Sequence, residues 1–291
     1  MSTSVQDAVI AEFAPAKVNL YLQVVGRRPD GYHLLDSLVV FAGVGDTLTV
    51  APADGLTLSV DGPTAPALTG LDDNIVLAAA RRLAEVAGVR PRAAITLTKR
   101  LPVAAGIGGG SADGAAALRG LCRLWNLTVE PALLAEVGLR LGADVPVCLA
   151  GAVRQMAGVG EVLTPAPALP PTWLVLVNPR QGLSTPAVFK ARQGPFSAPR
   201  PLDRAPVDAA DLAREMTLRT NDLAPPAVEL LPVIADVLAA LAGQAGCLLP
   251  RMSGSGATCF GLFADETTAT RAAEMLGHAH PGWWVAPAPI L

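Results

Sequence analysis

One run constrains this chain more than any other: Leu101-Pro102-Val103-Ala104-Ala105-Gly106-Ile107-Gly108-Gly109-Gly110-Ser111-Ala112-Asp113-Gly114. Ahead of it, residues 94–99 alternate apolar and polar side chains, the pattern of a half-buried strand. Behind it, residues 115–125 have the alanine and leucine content of a helix. The order is strand, glycine loop, helix. Glycine lets the backbone turn tightly and approach a ligand closely. A helix start offers unpaired N–H groups and a partial positive charge. Together these form a cradle suited to phosphate.

Two widespread cradles are excluded. No Gly-x-x-x-x-Gly-Lys-Ser/Thr string occurs in the chain. Gly106 and Gly108 fit the first two places of a Gly-x-Gly-x-x-Gly dinucleotide fingerprint, but Ser111 stands in the third. That speaks against a dinucleotide oxidoreductase. The cluster alone leaves a ligand-free flexible loop as open as a phosphate site, so other segments must decide.

A chain of 291 residues can form one large domain or two ordinary ones, and 51% hydrophobic content supplies a substantial core. A net charge of -3 argues against a nucleic-acid partner. No apolar run is long enough to cross a bilayer, so no membrane partner is expected. Residues 1–7 lack the positive start and apolar stretch of a secretory signal, which leads to an expected cytoplasmic location. Cys122, Cys148, Cys247 and Cys259 are scattered and read as small buried hydrophobes rather than metal ligands or disulfides. His278 and His280 sit beside Pro281 and Gly282 and read as surface-loop residues.

Strands are expected at residues 10–14, 18–24, 34–41, 46–50, 56–60 and 173–177. Helices are expected at 75–87, from Glu130-Pro131 through 139, from Ser184 or Thr185, at 227–241 and at 266–276. Asp73 or Asn74 would cap the first of these, and Gly88 would stop it. Residues 61–70 and 194–210 read as irregular, and the Pro/Ala-rich run 164–171 as a domain boundary. Lys17 and Asn19 lie two apart on a strand and share a face, which makes a role for Lys17 beyond solvation plausible. Asp144, in an apolar setting, is a turn or cap aspartate, or else a carboxylate able to take a proton. Ser253-Gly254-Ser255-Gly256 is either a hairpin turn or a second backbone surface against phosphates.

Taken together, Pro15-Ala16-Lys17-Val18-Asn19-Leu20, the glycine loop and Met252-Ser253-Gly254-Ser255-Gly256 resemble the three motifs of the GHMP small-molecule kinases. Arg28-Pro29-Asp30-Gly31-Tyr32-His33 and Leu141-Gly142-Ala143-Asp144-Val145-Pro146 sharpen the likeness. They point to the members whose small-molecule substrate is a cytidine diphosphate derivative of methylerythritol, in the non-mevalonate route to isoprenoids.

The resemblance implies an α+β, two-domain GHMP kinase fold. Residues 1–163 would be like ribosomal protein S5 domain 2, and residues 164–291 ferredoxin-like. It implies ATP as donor, Mg2+ as counterion and a 2-hydroxyl as acceptor. It places Asp144 as base and Lys17 as charge stabiliser. Pro102 through Ala112 would bind ATP, with Ser111 as the side-chain phosphate partner and Asn74 and Lys99 towards the adenine. Asn19 would orient the acceptor, while Tyr32, His33 and Phe189 would hold the cytidine. Ser253, Gly254, Ser255 and Gly256 would support the phosphate loop.

The loop departs from the family at Ile107, Ala112 and Gly114, where Leu, Ser and Ala are commoner, and the glycine geometry is kept. The family's acidic metal ligand is placed on no residue here, so the metal ligands are unassigned. A monomer or weak homodimer is expected. The rival readings are a homoserine or mevalonate type kinase and a non-catalytic nucleotide-binding protein on the same fold.

Overall fold

The computed structural model describes residues 9–68 and 74–291. Asp73, residues 1–7 and the end of the 61–70 loop lie outside the described residues. Two compact units interleave along the chain. One takes Met1–Ala16, Gly45–Val103 and Gly108–Gly151; the other takes Lys17–Val44, Ala104–Ile107 and Ala152–Leu291.

Two long strands contribute to both units. Strand β1 (Ile10–Arg27) and strand β2 (His33–Ala51) each run unbroken where two shorter strands were expected. Pro15 does not end β1, and Gly45 explains how. A Cβ on Gly45 would lie 2.3 Å from the Ala14 carbonyl oxygen and 2.8 Å from Pro15 Cα. Glycine there permits the close approach of the two backbones, a known use of glycine inside strands.

In the first unit, β3 (Leu56–Asp61) pairs in parallel with β4 (Ala93–Thr98), which pairs antiparallel with Thr47–Ala51 of β2. Helices α1 (Ile75–Ala87), α2 (Gly109–Leu124), α3 (Pro131–Leu141) and α4 (Val145–Ala150) pack beside them. Asn74 caps α1 by accepting from the Val76 N–H, and Gly88 closes it in the left-handed conformation. Helix α2 starts at Gly109, six residues before the expected Ala115, so the glycines form its first turn. Tertiary packing overrides glycine's poor helix propensity there: Ala112, Gly114 and Ala115 are all buried. The short α4 was not foreseen.

In the second unit, β5 (Arg154–Gly158) pairs with Leu35–Val39 of β2 and with β6 (Val162–Pro165). A separate antiparallel sheet runs β10-β7-β9-β8, built from β7 (Trp173–Asn178), β8 (Leu249–Met252), β9 (Cys259–Phe263) and β10 (Trp284–Pro289). Its core is Leu174, Leu176, Phe260 and Leu262, all with no exposed surface. Helices α5 (Thr185–Ala191), α6 (Ala209–Thr217), α7 (Ala224–Leu230), α8 (Val233–Ala242) and α9 (Glu266–Ala279) complete the unit.

The single helix expected at 227–241 is two, divided before Pro232, which disfavours helical backbone in the residue it follows. Helix α6 starts inside the stretch expected to be irregular, with Asp208 capping it through the Asp211 N–H at 2.7 Å. His278 lies in the last turn of α9, not on a loop, and His280 stacks on Trp283 with ring centroids 3.7 Å apart. Cys148 and Cys259 are buried, while Cys122 and Cys247 are only partly so, and none of the four forms a disulfide.

Candidate active site

The glycine loop alternates into the left-handed region at Ala104 (φ 53°), Gly106 (φ 72°) and Gly108 (φ 63°). Gly106 can only be glycine: a Cβ would sit 2.2 Å from the Gly256 carbonyl oxygen. Ala104, a non-glycine in that region, holds strain of about 1–2 kcal/mol. Ile107 is fully buried and anchors the loop.

Three successive carbonyls of the loop are occupied. Thr258 N–H donates to Ala105 O at 3.1 Å, Ser253 Oγ to Gly106 O at 3.4 Å and Lys17 N–H to Ile107 O at 2.9 Å. The segments around Lys17, Gly106 and Ser253 thus meet in the second unit, although far apart in sequence. Ser253 Oγ also accepts from the Asn19 N–H at 3.1 Å. Asn221, which sequence reasoning passed over, pins the same turn from behind. Its amide donates to Met252 O at 2.7 Å and to Gly254 O at 2.8 Å.

A directed hydrogen-bond chain fixes the side chains of Lys17 and Asn19 on β1. Lys17 Nζ donates to Asn19 Oδ1 at 3.0 Å, Asn19 Nδ2 to Ser37 Oγ at 2.7 Å, and Ser37 Oγ to Tyr21 O at 2.6 Å. Lys17 is only 4% exposed, so it is not a solvated surface lysine. Ser255 Oγ meets Thr185 Oγ1 at 2.7 Å, at the start of α5.

The start of α2 lies in the first unit. A Cβ on Gly110 would meet nothing within 4 Å, so this turn leaves open space beside its backbone. Ala112, which takes the place of a hydroxyl residue, is buried. Ser111 Oγ lies 3.9 Å from where a Cβ on Gly142 would be, so the turn Gly142-Ala143-Asp144 borders the first turn of α2. Asp144 occupies the N-cap position of α4, yet its side chain does not cap that helix. Asp144 is thus the turn residue that the sequence allowed, without the side-chain cap, and its turn position leaves the choice open.

Lys99 was expected near the adenine. It is buried, and its ammonium is held by two carboxylates, Asp46 at 2.5 Å and Asp113 at 2.8 Å. It lies 3.7 Å below the Cβ position of Gly109 and so acts from beneath the helix start. Asp46 also accepts the N–H of Arg100 and, at 2.9 Å, of Leu101, fixing the entry to the loop. Burial pushes Asp113 up to about 7, with the Lys99 cation opposing that rise. Burial works against the charge of Lys99, but the two carboxylates raise its pKa overall. Asp113 Oδ1 is buried without a hydrogen-bond partner. Asp46 carried no sequence signal beyond strand polarity; Asp113 carried one, a carboxylate in an apolar helix. Asn74 Oδ1 is used in capping α1.

His33 and Phe189 stack in the second unit, with ring centroids 5.1 Å apart and planes 25° apart. Tyr32 is 64% exposed and no core residue. Burial first, then the Arg27 and Arg192 cations, lower the His33 pKa, which keeps the ring neutral at neutral pH. Lys17, Asn19, Tyr32, His33, Phe189 and residues 253–256 thus belong to one unit. Asn74, Lys99, Gly110, Ser111 and Asp144 belong to the other.

Among the described residues no cluster of three or more His, Cys, Asp or Glu side chains forms a metal cage, and no helix is long and apolar enough to cross a membrane.

Residues 74–152 match the GHMP kinases N terminal domain, and residues 206–281 the GHMP kinases C terminal domain. A 4-diphosphocytidyl-2-C-methyl-D-erythritol kinase of Paramagnetospirillum magneticum is 65% identical over 96% of this chain and 97% of its own length. The protein of the same name from Rhodospirillum rubrum is 61% identical over 96% and 91%. A crystal structure of 4-(cytidine 5'-diphospho)-2C-methyl-D-erythritol kinase superposes with a TM-score of 0.78 at 35% identity, covering 96% of this chain and 99% of that one. Homoserine kinase from Cytophaga hutchinsonii, at 18% identity and a TM-score of 0.75, shares the fold.

Proposed function

The chain belongs to the GHMP kinases, an ATP-dependent family with the expected two-domain α+β fold, and on that premise we propose that it transfers the γ-phosphoryl group of ATP to the 2-hydroxyl of 4-diphosphocytidyl-2-C-methyl-D-erythritol. The observation that carries this reading is the 65% identity, over nearly the whole of both chains, to a relative bearing that enzyme's name.

Phosphoryl transfer asks a protein for positioning and charge neutralisation more than for covalent chemistry. The loop from Pro102 to Ala112 holds the triphosphate by its backbone, and Gly110 leaves room for it. Ser111 adds its hydroxyl at the helix start. The Lys99 bridge keeps the loop entry and the helix start in register, so Lys99 serves ATP through the loop it supports. Asp144 accepts the proton of the acceptor hydroxyl, late in a loose transition state. Lys17, aligned by Asn19, stabilises charge on the moving phosphoryl group. Asn19 is itself held by Ser37 and orients the acceptor. His33 and Phe189 receive the cytosine, with Tyr32 at the edge.

Mg2+ belongs to this proposal as the counterion of ATP. It needs few protein ligands when it arrives on a nucleotide, and the Ser111 hydroxyl with the phosphate oxygens would hold it. When bound it neutralises phosphate charge. A monomer or weak homodimer in the cytoplasm, without nucleic acid, remains part of this reading, as does the division at residue 163.

The test is product analysis after mixing the protein with Mg-ATP and the cytidylated acceptor. The 2-phosphorylated product is expected. Turnover of homoserine or mevalonate instead would move the chain to a sister kinase, and no ATP consumption with any acceptor would leave a nucleotide-binding protein.

A further inference from the structure

Two guanidinium groups border the His33–Phe189 stack, and neither has a carboxylate partner among the described residues. Arg27 ends β1. Its Nε donates to Gly31 O at 3.1 Å, folding the side chain over the turn that leads into His33. That turn is closed by Arg28 N–H to Tyr32 O at 2.7 Å and Gly31 N–H to Arg28 O at 3.0 Å. The neighbouring Arg28 does find a carboxylate, in Asp30 at 2.7 Å, so the turn had an anion available and gave it elsewhere.

Arg192 caps the end of α5, three residues past Phe189 and on the same side of the helix. Its guanidinium lies 5.0 Å from the Phe196 ring centroid and donates to the carbonyls of Gly194 and Pro195. Its Nε is buried without a hydrogen-bond partner. Both cations are close enough to His33 to disfavour its protonation.

Some other arginines of this unit do find carboxylates, while Arg251 is braced by the carbonyls of Leu20 and Met216. Arg204 and Arg214 pair with Asp211, and Arg219 pairs with Glu215. Two braced, uncompensated cations beside a neutral aromatic pair form a receptor for a flat base carrying a multiply charged anion.

We propose that Arg27 and Arg192 are specificity-determining residues that bind the diphosphate of a cytidine diphosphate-linked acceptor while His33 and Phe189 hold its base. This inference rests on the acceptor reading given above. It assigns the anion of that acceptor to two named side chains. A guanidinium presents up to five donors in a planar fork suited to phosphate oxygens. Carbonyls that brace each guanidinium reduce the rotamer freedom lost on binding.

Titration calorimetry with cytidine, CMP and CDP tests the idea on the full chain and on R27Q, R192Q and the double variant. In the wild type CDP is expected to bind at least tenfold more tightly than cytidine, an advantage that shrinks as salt rises. Each single variant should lose about tenfold in CDP affinity, the scale of one charge-assisted hydrogen bond, and leave cytidine affinity unchanged. The double variant should bring the three ligands together. Unchanged cytidine affinity doubles as the folding control, and R192K should recover part of the CDP advantage. If the CDP-to-cytidine ratio is the same in every variant, the two arginines only brace their turns and the inference falls. If the wild type binds none of the three ligands, the acceptor reading itself falls.

Discussion

Gly106 and Gly256 meet backbone against backbone, so closely that a single added methyl on Gly106 would overlap the carbonyl of its neighbour at 2.2 Å. Gly106→Ala therefore forces both a strained left-handed alanine and a collision with main chain. We expect a loss of more than about 2 kcal/mol in stability and of ATP binding with it. Gly110→Ala separates the two effects. Nothing stands within 4 Å of the new methyl, and the position is helical. Thermal stability should hold or rise by up to about 1 kcal/mol, while ATP affinity drops tenfold or more. Equal ATP affinity in G110A would mean that no ligand occupies that space.

Asp144→Asn should abolish turnover, by a factor of about 100 or more, with ATP affinity near that of the wild type. Lys17→Ala should cost about 3 kcal/mol of transition-state stabilisation, read in kcat. Steady-state kinetics beside nucleotide titration checks both. A K17A effect confined to KM would make Lys17 a binding residue.

Lys99→Met leaves Asp46 and Asp113 buried without their cation. Removing one member of a buried ion cluster costs about 3–5 kcal/mol, which denaturant unfolding would read directly. A change within 1 kcal/mol would show the cluster to be structurally idle.

The pH dependence of stability has a defined sign at Asp113. Its pKa rises from the ordinary carboxylate value of 3.8 in the unfolded chain to about 7 in the fold, chiefly through burial. Between those values the native state binds the proton and the unfolded state does not. The contribution of this group is therefore fully present below about 4 and is lost as pH climbs through 7. Melting temperatures from pH 4 to 8 should show a downward component that Asp113→Asn removes. Parallel curves for the two proteins would refute the assignment.

Phe189→Ala should raise KM for the cytidylated acceptor and leave KM for ATP alone. It opens one side of the His33 stack, and losing a ring partner costs about 1 kcal/mol beyond the area lost. No change would make Phe189 a packing residue.

Much of this site was legible because glycine-rich loops and small-residue turns leave strong local marks. Residues 94–125 read as strand, loop and helix, although the helix begins inside the glycines, where packing of Ala112 and Ala115 outweighs propensity. Strand continuity through Pro15 was not legible. It depends on Gly45, a partner far along the chain whose missing side chain makes room. Asp46 and Asn221 were invisible for the same reason: each satisfies main-chain groups distant in sequence, at Arg100 and Leu101 in one case and at Met252 and Gly254 in the other. The break between α7 and α8 has its cue in Pro232, which lies inside an apolar run that reads as one helix.

A trans peptide plane has two edges, oxygen on one and hydrogen on the other. With the oxygens of Ala105, Gly106 and Ile107 drawn to Thr258, Ser253 and Lys17, the hydrogens on Gly106, Ile107 and Gly108 are turned to the opposite side. The polarity of this ribbon is thus written in its main chain and is blind to side-chain identity. Leucine in place of Ile107 would leave it untouched, whereas one inverted plane would aim an oxygen at the phosphate proposed to bind there and cancel the attraction.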